Sequence, residues 1–134
     1  MKKDNQERSF SSRLILLIDD SDMLREFAKI LLEKEGYTIL CAKDGYEAIS
    51  IFQENKAFIM LVILDLNMPG ISGKECFKVI REILPGIPVI IASGYIAPEM
   101  SYYFTSSGKC QIITKPYQIQ ELLTMVSDSI QPVA

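Results

Sequence analysis

Three carboxylates directly follow two apolar segments of the chain. Asp65 comes after the run Phe58–Leu64, and a tight turn follows it. Asp19 and Asp20 come after a second run, Leu14–Ile18. A charge at the end of a buried strand is costly unless something there needs it. If the two runs are neighbouring parallel strands, the acids meet at one edge of the sheet and outline a site for a metal ion and a phosphoryl group.

Two further polar residues follow later apolar runs and complete this chemistry. Oxygen ligands are hard and suit Mg²⁺ or Mn²⁺, which would also offset the repulsion among the acids. Lys115 would add a positive charge and Ser93 a hydroxyl donor, the groups that neutralise a phosphoryl group in transfer. A carboxylate can itself accept that group. Asp65 is the best candidate acceptor, because it follows the most central strand and precedes a tight turn.

Composition excludes several classes of function. At 134 residues, 49% hydrophobic and 23% charged, the chain is of a size and composition typical of one globular domain. It contains no histidine, which excludes a Ser-His-Asp triad, a Cys-His pair and a His-ligated zinc site. A net charge of −3 gives no sign of the basic surface that binding to nucleic acid requires. No apolar run reaches the roughly 18 residues that span a membrane.

The three cysteines predict a cellular compartment rather than a chemistry. Cys41, Cys76 and Cys110 are far apart and odd in number. Residues 1–13 lack the apolar core of a secretion signal. We therefore expect free thiols in a reducing cytoplasm. We also expect residues 1–13 to be a disordered or artificially added tail, and residues 14–131 to form the domain.

The elements that must position these residues alternate five times between strand and helix. The predicted strands are Leu14–Ile18, Tyr37–Ala42, Phe58–Leu64, Pro88–Ala92 and Gln111–Thr114. The first predicted helix is Asp22–Glu35, and the second and third begin at the capping boxes Asp44–Glu47 and Ser72–Glu75. The fourth covers about residues 98–107, and the fifth is Tyr117–Ile130. This alternation predicts an α/β fold with a five-stranded parallel, doubly wound sheet and five helices. The fourth helix, rich in Ser, Thr and Tyr, is expected to be the least stable element.

Four motifs in this order resemble the receiver domain of two-component response regulators. They are Asp19-Asp20, Asp65-Leu-Asn-Met-Pro-Gly70, Ala92-Ser-Gly-Tyr95 and Thr114-Lys-Pro-Tyr117. The resemblance covers nearly the whole chain and implies a flavodoxin-like strand order of 2-1-3-4-5. It also implies a signalling domain whose only reactions are its own phosphorylation and dephosphorylation, and so not an enzyme in the usual sense.

The resemblance also implies the metal ligands. Asp20 would bind Mg²⁺ directly and Asp19 through water. Asp65 would complete the carboxylate set, and Asn67 would contribute its backbone carbonyl.

Further roles follow from the same resemblance. Asp65 would accept a phosphoryl group from a phosphohistidine of a histidine kinase or a histidine phosphotransfer domain. Ser93 would follow a phosphoryl oxygen when the domain switches, and Lys115 would pair with that oxygen. The Lys115-Pro116 bond would be cis, and phosphorylation would favour a homodimer.

Two features bear on the output of such a domain. Ile112 stands where the family often has an aromatic residue that swings inward on activation, which puts that switch in doubt. Ser93-Gly94-Tyr95 together with Lys-Pro-Tyr resembles receivers appended to hybrid sensor kinases more than those attached to DNA-binding domains.

Two alternative functions stay open beside this one. A phosphohydrolase with an Asp nucleophile would share the acids, the metal and Lys115. Such enzymes carry a second Asp two residues after the nucleophile, and this chain has Asn67 there. A receiver-like module that only binds partners would have a degraded site. Taken singly, Asp19 and Asp20 could merely cap a helix, and Asp65 could merely begin an Asx turn.

Overall fold

Five strands and five helices alternate along the chain in this computed structural model, which describes residues 14–68 and 70–130. The strands are β1 (Leu14–Ile18), β2 (Thr38–Ala42), β3 (Ile59–Asp65), β4 (Val89–Ser93) and β5 (Cys110–Thr114). The helices are α1 (Asp22–Lys34), α2 (Gly45–Asn55), α3 (Gly73–Ile83), α4 (Pro98–Thr105) and α5 (Ile119–Ile130). All strand pairs are parallel, in the order β2-β1-β3-β4-β5. The predicted fold is confirmed, whereas the predicted tail and residue 131 lie outside the described residues.

The sheet is covered on both faces, which explains why its strands are apolar without alternation. In β1, Leu16 and Ile18 belong to one buried cluster, while Ile15 and Leu17 belong to another on the opposite face. Helices α1 and α5 cover the second face, and α2, α3 and α4 cover the first. Within residues 14–68 and 70–130, no helix is both long enough and apolar enough to cross a membrane.

Three helices begin at side-chain caps. Ser21, Asp44 and Ser72 each accept a hydrogen bond from the amide three residues on, at 3.3, 2.8 and 3.2 Å. Glu47 reaches back to the amide of Lys43 at 2.9 Å, one residue before the cap. Helix α4 has no side-chain cap. It is also the shortest helix described, with eight residues, so its low stability stays a prediction with a structural rationale.

At their carboxyl ends, two strands extend one residue further than predicted, and both added residues are polar. Asp65 pairs with Ala92 in the ladder, and Ser93 pairs with Thr114. The predicted strands ended at Leu64 and Ala92, because a polar residue after an apolar run reads as the beginning of a loop. The structure instead places both polar side chains on the rigid end of the sheet.

Arg81 ties the end of α3 to the turn that precedes β5. Its guanidinium donates to the carbonyls of Ile87, Gly108 and Lys109. Gly108 and Lys109 both have positive φ, at 83° and 48°, so this turn adopts a conformation that needs support. A guanidinium has five N–H donors on three nitrogens in a rigid plane, so it can reach several separated carbonyls at once, whereas the three donors of a lysine share one nitrogen.

We predict that Arg81→Ala lowers the free energy of unfolding by about 2 kcal/mol, because it leaves several carbonyls without their charged donor. Chemical denaturation followed by circular dichroism measures this change. Lys78→Ala, an exposed position on the same helix, should change it by less than about 0.5 kcal/mol. Equal effects of the two substitutions would show that the Arg81 contacts contribute nothing.

Candidate functional site

The three carboxylates predicted to converge do so at the carboxyl edge of the sheet. The register pairs Ile18 of β1 with Leu64 of β3, so the residues that follow lie side by side. Asp19, Asp20 and Asp65 each place a carboxylate oxygen within 4.8 Å of the other two. Asp19 and Asp65 are buried, at 5% and 3% exposure, and Asp20 is exposed. The pocket therefore holds two desolvated acids and one that reaches solvent.

Lys115 bridges the two buried acids. Its Nζ lies 3.3 Å from Asp19 Oδ2 and 3.2 Å from Asp65 Oδ2. The backbone amide of Lys115 donates to the carbonyl of Ser93 at 2.8 Å, so the β4–β5 ladder continues up to the site. The Lys115-Pro116 bond is cis, as the resemblance implies. The structure thus brings the predicted lysine into contact with both acids.

The second oxygen of each buried acid is held locally. Asp19 Oδ1 accepts from the amide of Ser21 at 2.9 Å, and Asp65 Oδ1 accepts from the amide of Asn67 at 3.1 Å. Both contacts are Asx turns, the structural role that Asp65 could have had alone, whereas the cap of α1 is Ser21 rather than Asp19 or Asp20. The two roles coexist, because one oxygen of each carboxylate forms the turn and the other faces Lys115.

Burial and charge oppose each other in this pocket. Burial raises the pKa of Asp65 above its ordinary value, and the Asn67 amide and the Lys115 ammonium only partly offset that effect. For Lys115, burial lowers the pKa, but Asp19 and Asp65 outweigh it and the net direction is upward. One ammonium therefore serves two buried carboxylates and leaves negative charge uncompensated.

The remaining predicted residues occupy different positions relative to the acids. Ser93 is buried, but its hydroxyl donates to the carbonyl of Tyr95 at 2.9 Å and not to an acid. The backbone amide of Asn67 donates to Asp65. The role of the Asn67 backbone carbonyl as a metal ligand stays a prediction. Ile112 is half-buried and packs against the core cluster that faces α2, α3 and α4.

Sequence reasoning missed two glycines that hold the loop after Asp65. A Cβ on Gly73 would lie 2.6 Å from Leu66 Cα and 2.9 Å from its carbonyl oxygen. A Cβ on Gly45 would lie 2.8 Å from Ile71 Cβ. The first residue of α3 therefore presses directly on Leu66, and the first residue of α2 presses on Ile71. The capping boxes indicated where these helices begin, but no sequence signal indicated what they pack against.

Tyr117 is a third neighbour of the site that sequence reasoning did not assign. It is half-buried, and burial first and then Asp19 raise the pKa of its hydroxyl. It lines an apolar cavity of about 300 Å³ beside Lys115.

The thiols take no part in this chemistry. Cys41, Cys76 and Cys110 are free, as predicted. Burial raises the pKa of Cys76 to about 12 and that of Cys110 to about 11, so both stay protonated near neutral pH.

The donor set of the pocket fits a hard divalent cation. It offers three carboxylate oxygens and no sulfur or imidazole ligand among the described residues. Asp20 is exposed, so a cation bound there could keep several water ligands, as Mg²⁺ prefers. The uncompensated negative charge of the pocket also favours a divalent cation.

Comparisons with known proteins identify the class of protein to which this acidic pocket and this parallel, doubly wound sheet belong. The model of the response regulator receiver domain matches residues 15–127. The chain belongs to this family, whose members have a CheY-like, flavodoxin-type fold, bind Mg²⁺ at an acidic pocket and interact with histidine kinases and phosphotransfer partners. It is therefore a receiver domain of two-component signalling, a class that is generally not enzymatic.

Individual relatives show the same domain in several settings. The chain is 33% identical over 124 residues to the CAI-1 autoinducer sensor kinase/phosphatase CqsS of Vibrio cholerae, covering 90% of this chain and 18% of that protein. It is 30% identical over 120 residues to the transcriptional regulatory protein GlrR of Escherichia coli, covering 90% and 27%. A chain in the crystal structure of the CheX-CheY-BeF3-Mg²⁺ complex from Borrelia burgdorferi matches with a TM-score of 0.82 and 26% identity, covering 89% of this chain and 90% of that one. The chain thus spans less than a third of either curated relative.

We predict that Gly73→Ala destabilises the fold by about 2 kcal/mol, because the new methyl group meets the backbone of Leu66, which cannot rotate away. Gly86→Ala is the matched control, since a Cβ there meets nothing within 4 Å. Urea denaturation of both variants tests the difference. If Gly73→Ala is as stable as Gly86→Ala, the loop after Asp65 is not held by this contact.

We predict that Asp65→Asn raises the free energy of unfolding in EDTA at neutral pH by on the order of 1 kcal/mol. The folded-state pKa of Asp65 lies above its unfolded value near 3.8, so wild type loses stability as pH rises between the two values. The variant lacks this loss, and its advantage should vanish below that window.

Denaturation curves from pH 3.5 to 7.5 measure the effect. Asp128→Asn, at an exposed position on α5, should follow wild type throughout. A variant at Asp65 that is less stable than wild type at pH 7 would contradict the argument.

Proposed function

We propose that this receiver domain accepts a phosphoryl group onto Asp65 from a phosphohistidine of a histidine kinase or a histidine phosphotransfer domain. One observation carries the proposal: Lys115 Nζ lies 3.2 Å from Asp65 Oδ2 where three carboxylates meet. A buried acceptor beside a cation and metal ligands has the groups that phosphoryl transfer needs. The Borrelia relative crystallised with BeF3 and Mg²⁺, a phosphoryl-like group and a metal, which supports the same chemistry here.

The transfer converts one phosphoryl bond into another. A carboxylate oxygen of Asp65 attacks phosphorus, and the P–N bond to the imidazole breaks. The electron pair of that bond stays on the ring nitrogen, while the other ring nitrogen keeps its proton, so neutral histidine leaves. Asp65 becomes an acyl phosphate, and Lys115 is placed to pair with one of its oxygens.

Asp19, Asp20 and Asp65, with the backbone carbonyl of Asn67, would hold Mg²⁺ or Mn²⁺ in this pocket. When bound, the cation supplies positive charge against the transferring oxygens. Asp19 and Asp65 are pre-positioned for this by their Asx turns, which fix one oxygen of each carboxylate.

Ser93 would change partner on phosphorylation. Its hydroxyl now donates to Tyr95 O, two residues before the cap of α4. Turning towards a phosphoryl oxygen would release that carbonyl and loosen the segment that leads into α4. This link supports a switch that needs no aromatic ring at Ile112.

The two alternatives receive less support. A phosphohydrolase needs a general acid near the leaving group, but residue 67 is Asn and the chain has no histidine. A module with a degraded site would lack a core position, whereas Asp19, Asp20, Asp65 and Lys115 all meet in one pocket.

The cellular location of the domain, its attachment to other domains and its oligomeric state stay predictions. Free thiols support a cytoplasmic location, and the net charge of −3 gives no support for nucleic-acid binding. The relatives include both a sensor kinase and a transcriptional regulator, so attachment to a hybrid kinase is proposed only on the sequence motifs. A homodimer formed on phosphorylation is likewise proposed, and light scattering with and without the phosphodonor tests it.

We predict that wild type incubated with acetyl phosphate and Mg²⁺ gains one phosphoryl group per chain, and that Asp65→Asn gains none. Intact-mass spectrometry at low temperature measures both. Equal labelling of the two proteins would rule out Asp65 as the acceptor. Release of many equivalents of phosphate per chain on the time scale of labelling would instead favour the phosphohydrolase.

A further inference from the structure

Arg25 in α1 makes an unusual contact with the backbone beside the acidic pocket. One guanidinium nitrogen donates to the carbonyl oxygen of Asp19 at 2.7 Å. Another contacts the carboxylate of Asp22, which is 88% exposed. The Arg25 side chain is itself only 18% exposed, so it is held against the protein rather than extended into solvent.

This contact acts on the peptide unit that joins the first two acids. The carbonyl of Asp19 and the amide of Asp20 share one rigid plane. A strong donor on that carbonyl therefore restrains the orientation of the plane, and together with the Asx turn around Asp20 it restrains the direction in which the Asp20 side chain leaves the backbone.

The other polar groups of Asp19 are held by different partners. Its amide donates to the carbonyl of Ala42, Oδ1 accepts from the amide of Ser21, and Oδ2 pairs with Lys115. Among the described residues, no hydrogen bond to the carboxylate of Asp20 is found. The backbone of Asp20 lies inside the Asx turn from Asp19 Oδ1 to the amide of Ser21, and Arg25 holds the peptide at the start of that turn.

We propose that Arg25 is a positioning residue that aims Asp20 into the metal pocket through the Asp19–Asp20 peptide. The inference rests on the proposed function, because it assumes that the acidic pocket binds a divalent cation. It adds a residue that makes no contact of its own with the three carboxylates of the pocket.

The sign of the effect separates positioning from simple electrostatics. Arg25 is a positive charge near a cation site, so by Coulomb repulsion alone its removal should strengthen cation binding. If Arg25 aims Asp20, its removal should weaken binding despite the lost repulsion. Replacing a group that orients a metal ligand typically costs about 10-fold or more in affinity.

The experiment compares Mn²⁺ affinities of the whole chain by electron paramagnetic resonance, with Mg²⁺ calorimetry as a second measurement. Arg25→Met keeps much of the apolar stem and should weaken binding about 10-fold. Arg25→Lys keeps the charge and a single donor nitrogen and should recover part of that loss. Lys29→Met removes the same charge four residues further along α1, where no contact with the pocket is found, and should bind as tightly as wild type or slightly tighter.

Each outcome bears on a different claim. Weak binding by Arg25→Met with tight binding by Lys29→Met supports positioning, provided that denaturation in EDTA shows the variant to be folded. Binding by Arg25→Met as tight as that of Lys29→Met overturns it. Amide chemical shifts give an independent check, since the Asp20 amide should move in Arg25→Met without metal, and an unmoved Asp20 amide would also overturn the inference. Absence of Mn²⁺ binding by wild type would instead refute the proposed metal site.

Discussion

The site depends on one ammonium group shared between two buried carboxylates. Lys115 lies within 3.3 Å of both Asp19 and Asp65, and its net pKa shift is upward although burial alone would lower it. The pKa of Asp65 is nevertheless raised, so a single cation does not compensate the cost of its desolvation. With Asp20 at the rim, three acids face one lysine. The pocket is therefore built with a deficit of positive charge, and a divalent cation is the ligand that removes such a deficit.

The sheet holds this unfavourable arrangement in place because its hydrogen bonds run on into the site. The amide of Asp19 donates to Ala42, that of Leu66 to Ala92, and that of Lys115 to Ser93. The backbone at or next to the two buried acids, and at the lysine, is thus tied to a neighbouring strand. The strands beneath are buried on both faces, so moving one of them would disrupt packing against helices on two sides. Packing in the core thus opposes the repulsion among the carboxylates, so the folded chain can keep these charges close together where function needs them.

The fold and the membership of the site could be predicted from sequence because both follow from strand ends. Apolar runs that end in Asp19, Asp65 or Lys115 place those residues at one edge once the strands are parallel. Side-chain directions could not be predicted in the same way. Nothing in the sequence indicates that Ser93 donates to Tyr95, or that Arg25 reaches a carbonyl six residues back. Gly73 reads as an ordinary helix start, because its contact with Leu66 exists only after the loop has folded.

The pocket is held unequally on its two sides, and this asymmetry bears on how a change at Asp65 would spread. Asp19 and Asp65 are fixed by local turns and by Lys115, whereas the Ser93 hydroxyl has one bond, to the carbonyl of Tyr95. Exchanging that bond costs about 1 kcal/mol, and water can satisfy the carbonyl of an exposed residue such as Tyr95. Helix α4 follows at once, without a side-chain cap and with Phe104 as its one buried residue. Because Ile112 offers no aromatic ring to relocate, the switch proposed for Ser93 would act along the backbone into α4.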